Sequence, residues 1–276
     1  MGRRRIGIVG YGHLGEYLVK EVLSSGDLDL AFVWNRTASV LDGKVENQYV
    51  LHDLDAFAER NADLIVEVAH PDMTKTFGER FLEAADYMIG SPTALADAET
   101  ELKLRSAATR HGLYIPTGAL WGGEDIRKMA EKGSLQALKI TMMKPPESFK
   151  LMEPLKRKLL EANGGACVLY DGPVRELCPL APNNVNTMAA AAVAAHNLGF
   201  DKTMGSIVAD PSLTNWHIVQ VDVWGPGDIA AGTAFHCQTV RRNPAIIGQV
   251  TGSATYASFM CSVNAAFGKG PGVHLC

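Results

Sequence analysis

Short apolar runs alternate with amphipathic stretches between Arg5 and about Gly118. Five of the runs are rich in valine, isoleucine and aromatic residues, which favour strands; they are RIGIVG, LAFVWN, DLIVEVA, YMIGSP and GLYIPTG. Segments of helical periodicity separate them. One of these helices is predicted to begin at Pro71-Asp72, with proline in its first turn and an acid beside its positive end, and another covers 97–112. Strands and helices that alternate in this way predict a parallel sheet with helices on both faces.

After Gly118 the pattern changes, because the predicted strands are no longer each followed by a helix. Strands are predicted over 135–143, 166–170, 216–224 and 231–240, and helices over 123–133, 153–163, 186–199 and 243–267. This arrangement is typical of an α+β unit that is rich in antiparallel strands. The predicted fold class is therefore α/β, with a second α+β domain after the first.

A glycine motif, Gly10-x-Gly12-x-x-Gly15, directly follows the first strand and opens a helix. This context favours a Rossmann dinucleotide-binding site over a simple glycine turn. Gly10 permits the tight turn, Gly12 lets the backbone approach a pyrophosphate, and Gly15 lets the helix lie close to the strand. The first residues of the helix, His13 and Leu14, would then offer free N–H groups to the phosphates.

The end of the second strand bears on the choice between NAD and NADP. An NAD site usually carries an acid about 20 residues beyond the glycines, but Asn35 stands there and Arg36 follows. A missing carboxylate and an added cation favour NADP, although Arg36 pointing to solvent, or dual specificity, remains open. His70, after the third strand, lies near the nicotinamide side or caps a helix.

Composition excludes several other classes of protein. Hydrophobic residues make up 47% of the 276 residues and charged residues 20%, with a net charge of -4, which is ordinary for a soluble globular protein and gives no sign of a nucleic-acid surface. No apolar run approaches the length of a membrane span. The five cysteines form no C-x-x-C pair, so neither a metal site nor a disulfide framework is expected, and a reducing cytoplasm fits best.

Two stretches in the second half are hard to explain by packing alone. The segment 178–186 places two prolines and three asparagines before an alanine-rich helix, and helix capping accounts for only one asparagine. In the segment 210–221, strand alternation puts Trp216 and Ile218 on one face and His217 on the other. A lone histidine on a strand is more often structural than catalytic, and the pattern alone leaves both roles open.

Five stretches, in their order and spacing, resemble the L-aspartate dehydrogenases over nearly the whole chain. They are GYGHLG near the start, GALWGGEDI at 118–126, MKPPESF at 143–149, APNNVNTMAAAAVAA at 181–195 and DPSLTNWHIVQV at 210–221. The resemblance implies a Rossmann domain over 1–115, completed by a C-terminal helix over 243–276 that packs back on it. It also implies an α+β catalytic and dimerisation domain over 116–242, and hence a homodimer.

The resemblance also assigns roles to particular residues. It implies that His217 is catalytic and that Ala119 and Asn186 contact the cofactor. Asn184 is the second choice among the asparagines and a candidate substrate contact. A dicarboxylate substrate needs cations, and Lys144 is the candidate for this role, with Lys139 a weaker alternative.

The expected activity is oxidative deamination of aspartate through an imine to oxaloacetate and ammonia, with NAD or NADP as the hydride carrier. His217 would move a proton near neutral pH. Two alternatives stay open at this point. One is an oxidoreductase of another amino or keto acid, and the other is a dinucleotide-binding sensor that has lost catalysis.

Overall fold

The structure is a computed structural model that describes residues 2–162, 164–246, 248–252 and 254–276. Its strands are β1 (Arg4–Val9), β2 (Leu28–Trp34), β3 (Leu64–Glu67), β4 (Asp86–Ile89), β5 (Gly112–Ile115), β6 (Ala137–Lys144), β7 (Cys167–Pro173), β8 (Met204–Ala209), β9 (Trp216–Trp224), β10 (His236–Pro244) and β11 (Gly272–Leu275). Its α-helices are α1 (His13–Ser24), α2 (Pro71–Ala84), α3 (Ala98–Ala107), α4 (Gly123–Glu131), α5 (Leu155–Leu160), α6 (Val174–Leu177), α7 (Asn186–Ala194), α8 (Gly199–Lys202) and α9 (Ala254–Ala265).

The first sheet has six parallel strands in the order β11-β5-β4-β3-β1-β2. Its central strands are buried on both faces, as expected of a sheet covered by helices. One face packs against α1 and α9 through Leu18 and Phe259, and the other against α2 and α3 through Phe81 and Leu104. The predicted Rossmann-like α/β architecture is confirmed.

The connection between β2 and β3 differs from the helix expected between successive strands. It contains three short 3-10 helices, Ala38–Leu41, Asn47–Tyr49 and Leu54–Arg60. Left-handed backbone at Gly43 (φ 68°) and at Asn61 (φ 48°) interrupts the segment. Residues of this conformation end helical turns, so no continuous α-helix forms here. By contrast, α2 begins at Pro71, as predicted.

The second sheet has five strands in the order β10-β9-β6-β8-β7, and all neighbours are antiparallel except β6 and β8. Strand β8 was not predicted. It lies between two other strands and is mostly buried, and a short apolar run of this kind cannot be distinguished from a buried helix by periodicity. The buried helix α7 covers the sheet's core side.

The C-terminal segment contains less helix than the sequence predicted for 243–276. Strand β10 continues to Pro244, α9 covers only Ala254–Ala265, and β11 adds a parallel edge strand beside β5. The glycines at 268, 270 and 272 all have positive φ, which ends the helix and lets the chain turn into β11. Helix α9 does pack back on the first sheet's helices, where Tyr256 meets Tyr17 edge to face. Within the described residues, no helix is long and apolar enough to cross a membrane.

Candidate active site

A cavity lies between the carboxyl edge of the first sheet and the start of α7, and the second sheet closes it. Its walls bring together six residues that the sequence singled out: Leu14, Ala119, Lys144, Asn184, Asn186 and His217. The polar residues Lys144, Asn186 and His217 come from β6, α7 and β9, so the fold alone assembles them.

The glycine motif has the geometry that the sequence predicted. Gly10 has φ 112°, and a Cβ there would lie 2.8 Å from the amide nitrogen of Ala69. A Cβ at Gly15 would lie 2.1 Å from the carbonyl oxygen of Gly10, so only glycine lets α1 approach the turn this closely. A Cβ at Gly12 would meet nothing within 4 Å, which leaves its backbone open to a ligand.

The start of α1 fits the phosphates of a dinucleotide. No side chain caps this helix, and the first N–H groups of a helix have no partner within it. Together with the helix dipole they form an anion site. His13 is exposed and Leu14 is half-buried at the cavity wall. The residues present therefore fit a nicotinamide dinucleotide, and the glycine turn with the start of α1 would hold its pyrophosphate.

Asn35 and Arg36 follow β2 beside this turn. The Oδ1 atom of Asn35 accepts a hydrogen bond from the backbone N–H of Tyr11 at 3.0 Å, and its Nδ2 donates to the carbonyl of Thr37 at 2.9 Å. Asn35 thus ties the end of β2 to the glycine turn. Arg36 is exposed, and within the described part of the chain its guanidinium forms no hydrogen bond or ion pair.

His217 lies on β9 and is only 3% exposed. Its Nε2 has no hydrogen-bond partner among the described residues, although it is buried. Burial, and then the charge of Lys144, lower the pKa of His217 to about 4. The imidazole is therefore neutral at neutral pH, whereas the sequence suggested an ordinary pKa of about 6.5.

Lys144 ends β6 and is 3% exposed. Its ammonium donates a hydrogen bond to the carbonyl of Val250 at 3.0 Å and lies 5.8 Å from the ring centre of Phe149. Among the described residues no carboxylate pairs with it. Burial lowers the pKa of Lys144 to about 8. The weaker alternative, Lys139, instead forms an ion pair with Asp171 at 2.7 Å and does not line the cavity.

The two asparagines before α7 differ in their environments. Asn184 is buried, and its amide bonds the backbone at Ser148 and Lys150, so it orders the loop after β6. Asn186 is the first residue of α7, and its buried Oδ1 lacks a partner among the described residues. Asn186 is therefore the asparagine with an amide oxygen free for a ligand.

Ala119 lines the cavity on the loop after β5. The preceding residue, Gly118, has φ 59°, and its carbonyl accepts hydrogen bonds from Arg241 at 3.1 Å and Ser258 at 2.9 Å. Residues from β10 and α9 thus fix this loop. The interpretation of His70 as a helix cap also agrees with the structure, because its Nδ1 accepts from the N–H of Asp72.

Sequence analysis missed Asn243, a buried residue that faces the cavity from β10. It is paired in register with His217, and its Nδ2 donates to the carbonyl of His217 at 3.4 Å. The only signal in the sequence was an Asn-Pro dipeptide, which indicates a turn as readily as a strand end. In the described ranges no three metal-binding side chains cluster.

Comparisons with known proteins agree with this geometry. Residues 10–116 match the family model described as the homoserine dehydrogenase NAD binding domain, and residues 125–262 match that described as aspartate dehydrogenase, C-terminal. An aspartate dehydrogenase domain-containing protein of Xenopus tropicalis is 54% identical over 279 residues, covering 99% of this chain and 98% of its own. An L-aspartate dehydrogenase of Methanococcoides burtonii is 29% identical, covering 79% of this chain and 83% of its own.

Among solved structures, the crystal structure of aspartate dehydrogenase from Thermotoga maritima superposes with a TM-score of 0.69 at 20% identity. The match covers 97% of this chain and 98% of the other, and it establishes a shared fold. Fold, glycine turn and family models together define an oxidoreductase with a nicotinamide-binding domain. Within that class, the chain belongs to the aspartate dehydrogenase family.

Proposed function

We propose that the protein is an NAD(P)-dependent L-aspartate dehydrogenase. The observation that carries this proposal is the buried ammonium of Lys144, which shares a cavity with Ala119 and the neutral imidazole of His217. A buried lysine without a carboxylate partner is costly. An anionic substrate that enters this cavity would supply the missing partner.

A dicarboxylic amino acid fits this electrostatic arrangement. Lys144 binds one carboxylate of the substrate in place of the Val250 carbonyl, to which it now donates. The cavity is otherwise lined largely by small or uncharged side chains, including Met142, Val219 and Thr187. Lys144 therefore selects for the acidic side chain or the α-carboxylate and fixes the α-carbon near the loop of Ala119.

His217 acts as the base. Its pKa, lowered to about 4, keeps the imidazole neutral. Its Nε2, which has no hydrogen-bond partner in the described part of the chain, would accept a proton from the substrate's ammonium or from the attacking water. A carboxylate that binds Lys144 also offsets the charge that lowers the pKa of His217. Substrate binding therefore makes His217 a stronger base at the moment when it is needed.

The nicotinamide cofactor, when bound, accepts a hydride from the α-carbon of the substrate. Loss of that hydride and of a proton from nitrogen leaves an imine, and water then adds to the carbon and displaces ammonia. Aspartate and water would thereby be converted to oxaloacetate and ammonium, with the oxidised cofactor converted to its reduced form and one proton released. Asn186, whose amide oxygen has no partner among the described residues, would hold the nicotinamide or the substrate, and Ala119 would contact the cofactor from the loop after β5.

NADP is the proposed cofactor, with NAD as the alternative. Arg36 is exposed beside the glycine turn, and within the described part of the chain it has no partner. A guanidinium in this position can pair with a 2′-phosphate. No acid follows β2 in the position where it would repel that phosphate.

The test is the absorbance of NADPH or NADH with purified protein, oxaloacetate and ammonia, with each substrate omitted in turn. We expect oxidation of the cofactor only when both are present. The His217→Ala variant should lose about a hundredfold or more of kcat, with cofactor affinity unchanged. Cofactor binding without turnover of oxaloacetate would refute the assignment, and unchanged turnover in the variant would remove His217 from its role.

A further inference from the structure

The carboxylate of Glu67 is fully buried at the end of β3, on the edge of the sheet that carries the glycine turn. Its Oε1 accepts hydrogen bonds from the backbone N–H groups of Ala69 at 2.6 Å and His70 at 2.8 Å. Ser91, after β4, donates its N–H to Oε2 at 3.0 Å and its hydroxyl to Oε1 at 3.2 Å. One side chain thus joins the loops that follow two neighbouring strands.

Both loops belong to the dinucleotide site. Ala69 packs against Gly10 so closely that a Cβ on Gly10 would lie 2.8 Å from the backbone nitrogen of Ala69. Gly90, which precedes Ser91, donates to the carbonyl of Glu67 at 2.8 Å, and a Cβ on Gly90 would lie 2.1 Å from that oxygen. Gly90 and Pro92 line the cavity. Glu67 therefore connects the glycine turn to the cavity wall.

The set of donors around Glu67 is matched to an ionised carboxylate. Three of the partners are backbone N–H groups, which can only donate. Burial raises the pKa of Glu67 to about 7, and the N–H groups of Ala69, His70 and Ser91 oppose this rise. Among the described residues no lysine or arginine forms an ion pair with it. The hydroxyl groups of Ser91 and Thr74 also donate to this carboxylate, at 3.2 and 3.5 Å. A buried carboxylate held mainly by the N–H groups of two loops serves to order those loops.

We propose that Glu67 is a positioning residue for the nicotinamide half of the cofactor, because it holds Gly90–Pro92 in place at the cavity wall. The proposal rests on nicotinamide binding at this edge of the sheet. It adds to the proposed function a residue that does not line the cavity itself. The adenosine half of the cofactor lies over the glycine turn and the end of β2, and it depends on Glu67 much less.

The Glu67→Gln variant affects one of the two loops and not the other. The amide oxygen can still accept from Ala69 and His70, but the amide NH2 then faces the N–H of Ser91, and two donors cannot bond each other. The Gly90–Pro92 wall thus loses the bond from the Ser91 N–H to this side chain, while Ala69 and His70, beside Gly10, keep theirs. We expect the Kd of the preferred reduced dinucleotide to rise about tenfold, as for the loss of one hydrogen bond to a charged group.

The second ligand in the test is ADP-ribose, or its 2′-phosphate if NADPH is preferred, because it lacks the nicotinamide. Its Kd should change by less than about twofold in the same variant. Tyr87→Phe is the matched control, since it removes a phenol that bonds Thr74 at 2.8 Å in the same buried cluster and leaves every bond from the two loops to Glu67 in place. This control should leave both Kd values unchanged.

Equal weakening of both ligands, or of neither, would overturn the proposal. Should Glu67→Gln fail to fold, Ser91→Ala is the second test of the proposal, because it removes only the hydroxyl bond to Oε1. It should raise the Kd of the dinucleotide, by a smaller factor, and leave the Kd of ADP-ribose unchanged. The readout is binding, so it is separate from turnover. A wild-type protein that binds NADPH but does not act on oxaloacetate would contradict the proposed function and leave this test intact.

Discussion

Replacing Lys144 with methionine should make the protein more stable and, at the same time, a poorer binder of dicarboxylates. The ammonium is buried without a carboxylate partner among the described residues, and methionine of similar length fills the same space without charge. Residues that evolution keeps for binding often cost stability in this way. Opposite effects on stability and binding are therefore the signature of the proposed role.

The magnitude follows from the pKa of Lys144, which burial lowers from 10.5 to about 8. The difference of about 2.5 pH units corresponds to about 3 kcal/mol of destabilisation when the lysine is charged in both states. The hydrogen bond to Val250 offsets about 1 kcal/mol of this. We expect Lys144→Met to raise the free energy of unfolding at pH 7 by about 2 kcal/mol.

The pH dependence has a definite sign. Because the folded pKa lies below the unfolded one, the unfolded chain binds more protons between pH 8 and pH 10.5. The wild-type protein should therefore gain about 3 kcal/mol relative to the variant as pH rises through this window. The advantage of Lys144→Met should be full below pH 8 and lost before pH 10.5, because the gain of the wild-type protein over this window exceeds the advantage of about 2 kcal/mol.

The assay is urea unfolding of both proteins across this pH range, combined with inhibition by succinate, a dicarboxylate without an amine. Lys139→Met is the matched control on the same strand, where the lysine pairs with Asp171 and is partly exposed. The control should change stability by less than about 1 kcal/mol and leave succinate binding unchanged. A destabilised Lys144→Met protein, or one that binds succinate normally, would refute the reasoning.

Three further predictions concern the cavity and the glycine turn. The inhibition constant of succinate should rise above about pH 8, where Lys144 loses its charge, and Lys144→Arg should shift that rise to higher pH; an inhibition constant that does not change with pH would contradict this. Arg36→Ala should weaken the binding of NADPH about tenfold and leave the binding of NADH unaffected. An unchanged affinity for NADPH would contradict a contact between Arg36 and the 2′-phosphate. Gly15→Ala should weaken either dinucleotide by about tenfold or more, because its Cβ would meet the carbonyl of Gly10, whereas Gly26→Ala, with nothing within 4 Å of the new Cβ, should bind normally.

The parallel sheet and the glycine turn were predictable because their signals are local. Val, Ile and aromatic runs mark the strands, and the three glycines of the turn stand at a fixed spacing. By contrast, β8 and β11 were not predicted, since each is a run of only six or four residues, which is too short for periodicity to distinguish a strand from other structure. The 3-10 turns between β2 and β3 depend on left-handed residues such as Gly43, whose conformation the composition does not reveal.

The candidate site was predictable only in part. His217, Lys144 and Asn186 came from motifs, and the cavity does bring them together. Their electrostatic state did not follow from the motifs, because the Val250 carbonyl that Lys144 meets lies 106 positions along the chain. For the same reason no motif indicated that Glu67 joins two loops, one of them 24 residues away.

The most direct measurement of the central claim follows the hydride and the nitrogen atom. The protein is incubated with oxaloacetate, ¹⁵N-labelled ammonium and the reduced cofactor carrying deuterium at the transferable position, and the products are examined by NMR. The account predicts aspartate with ¹⁵N in its amino group and deuterium on its α-carbon, in amounts equal to the cofactor oxidised. Deuterated malate formed without ammonia, or no transfer of deuterium from a cofactor that binds, would contradict it.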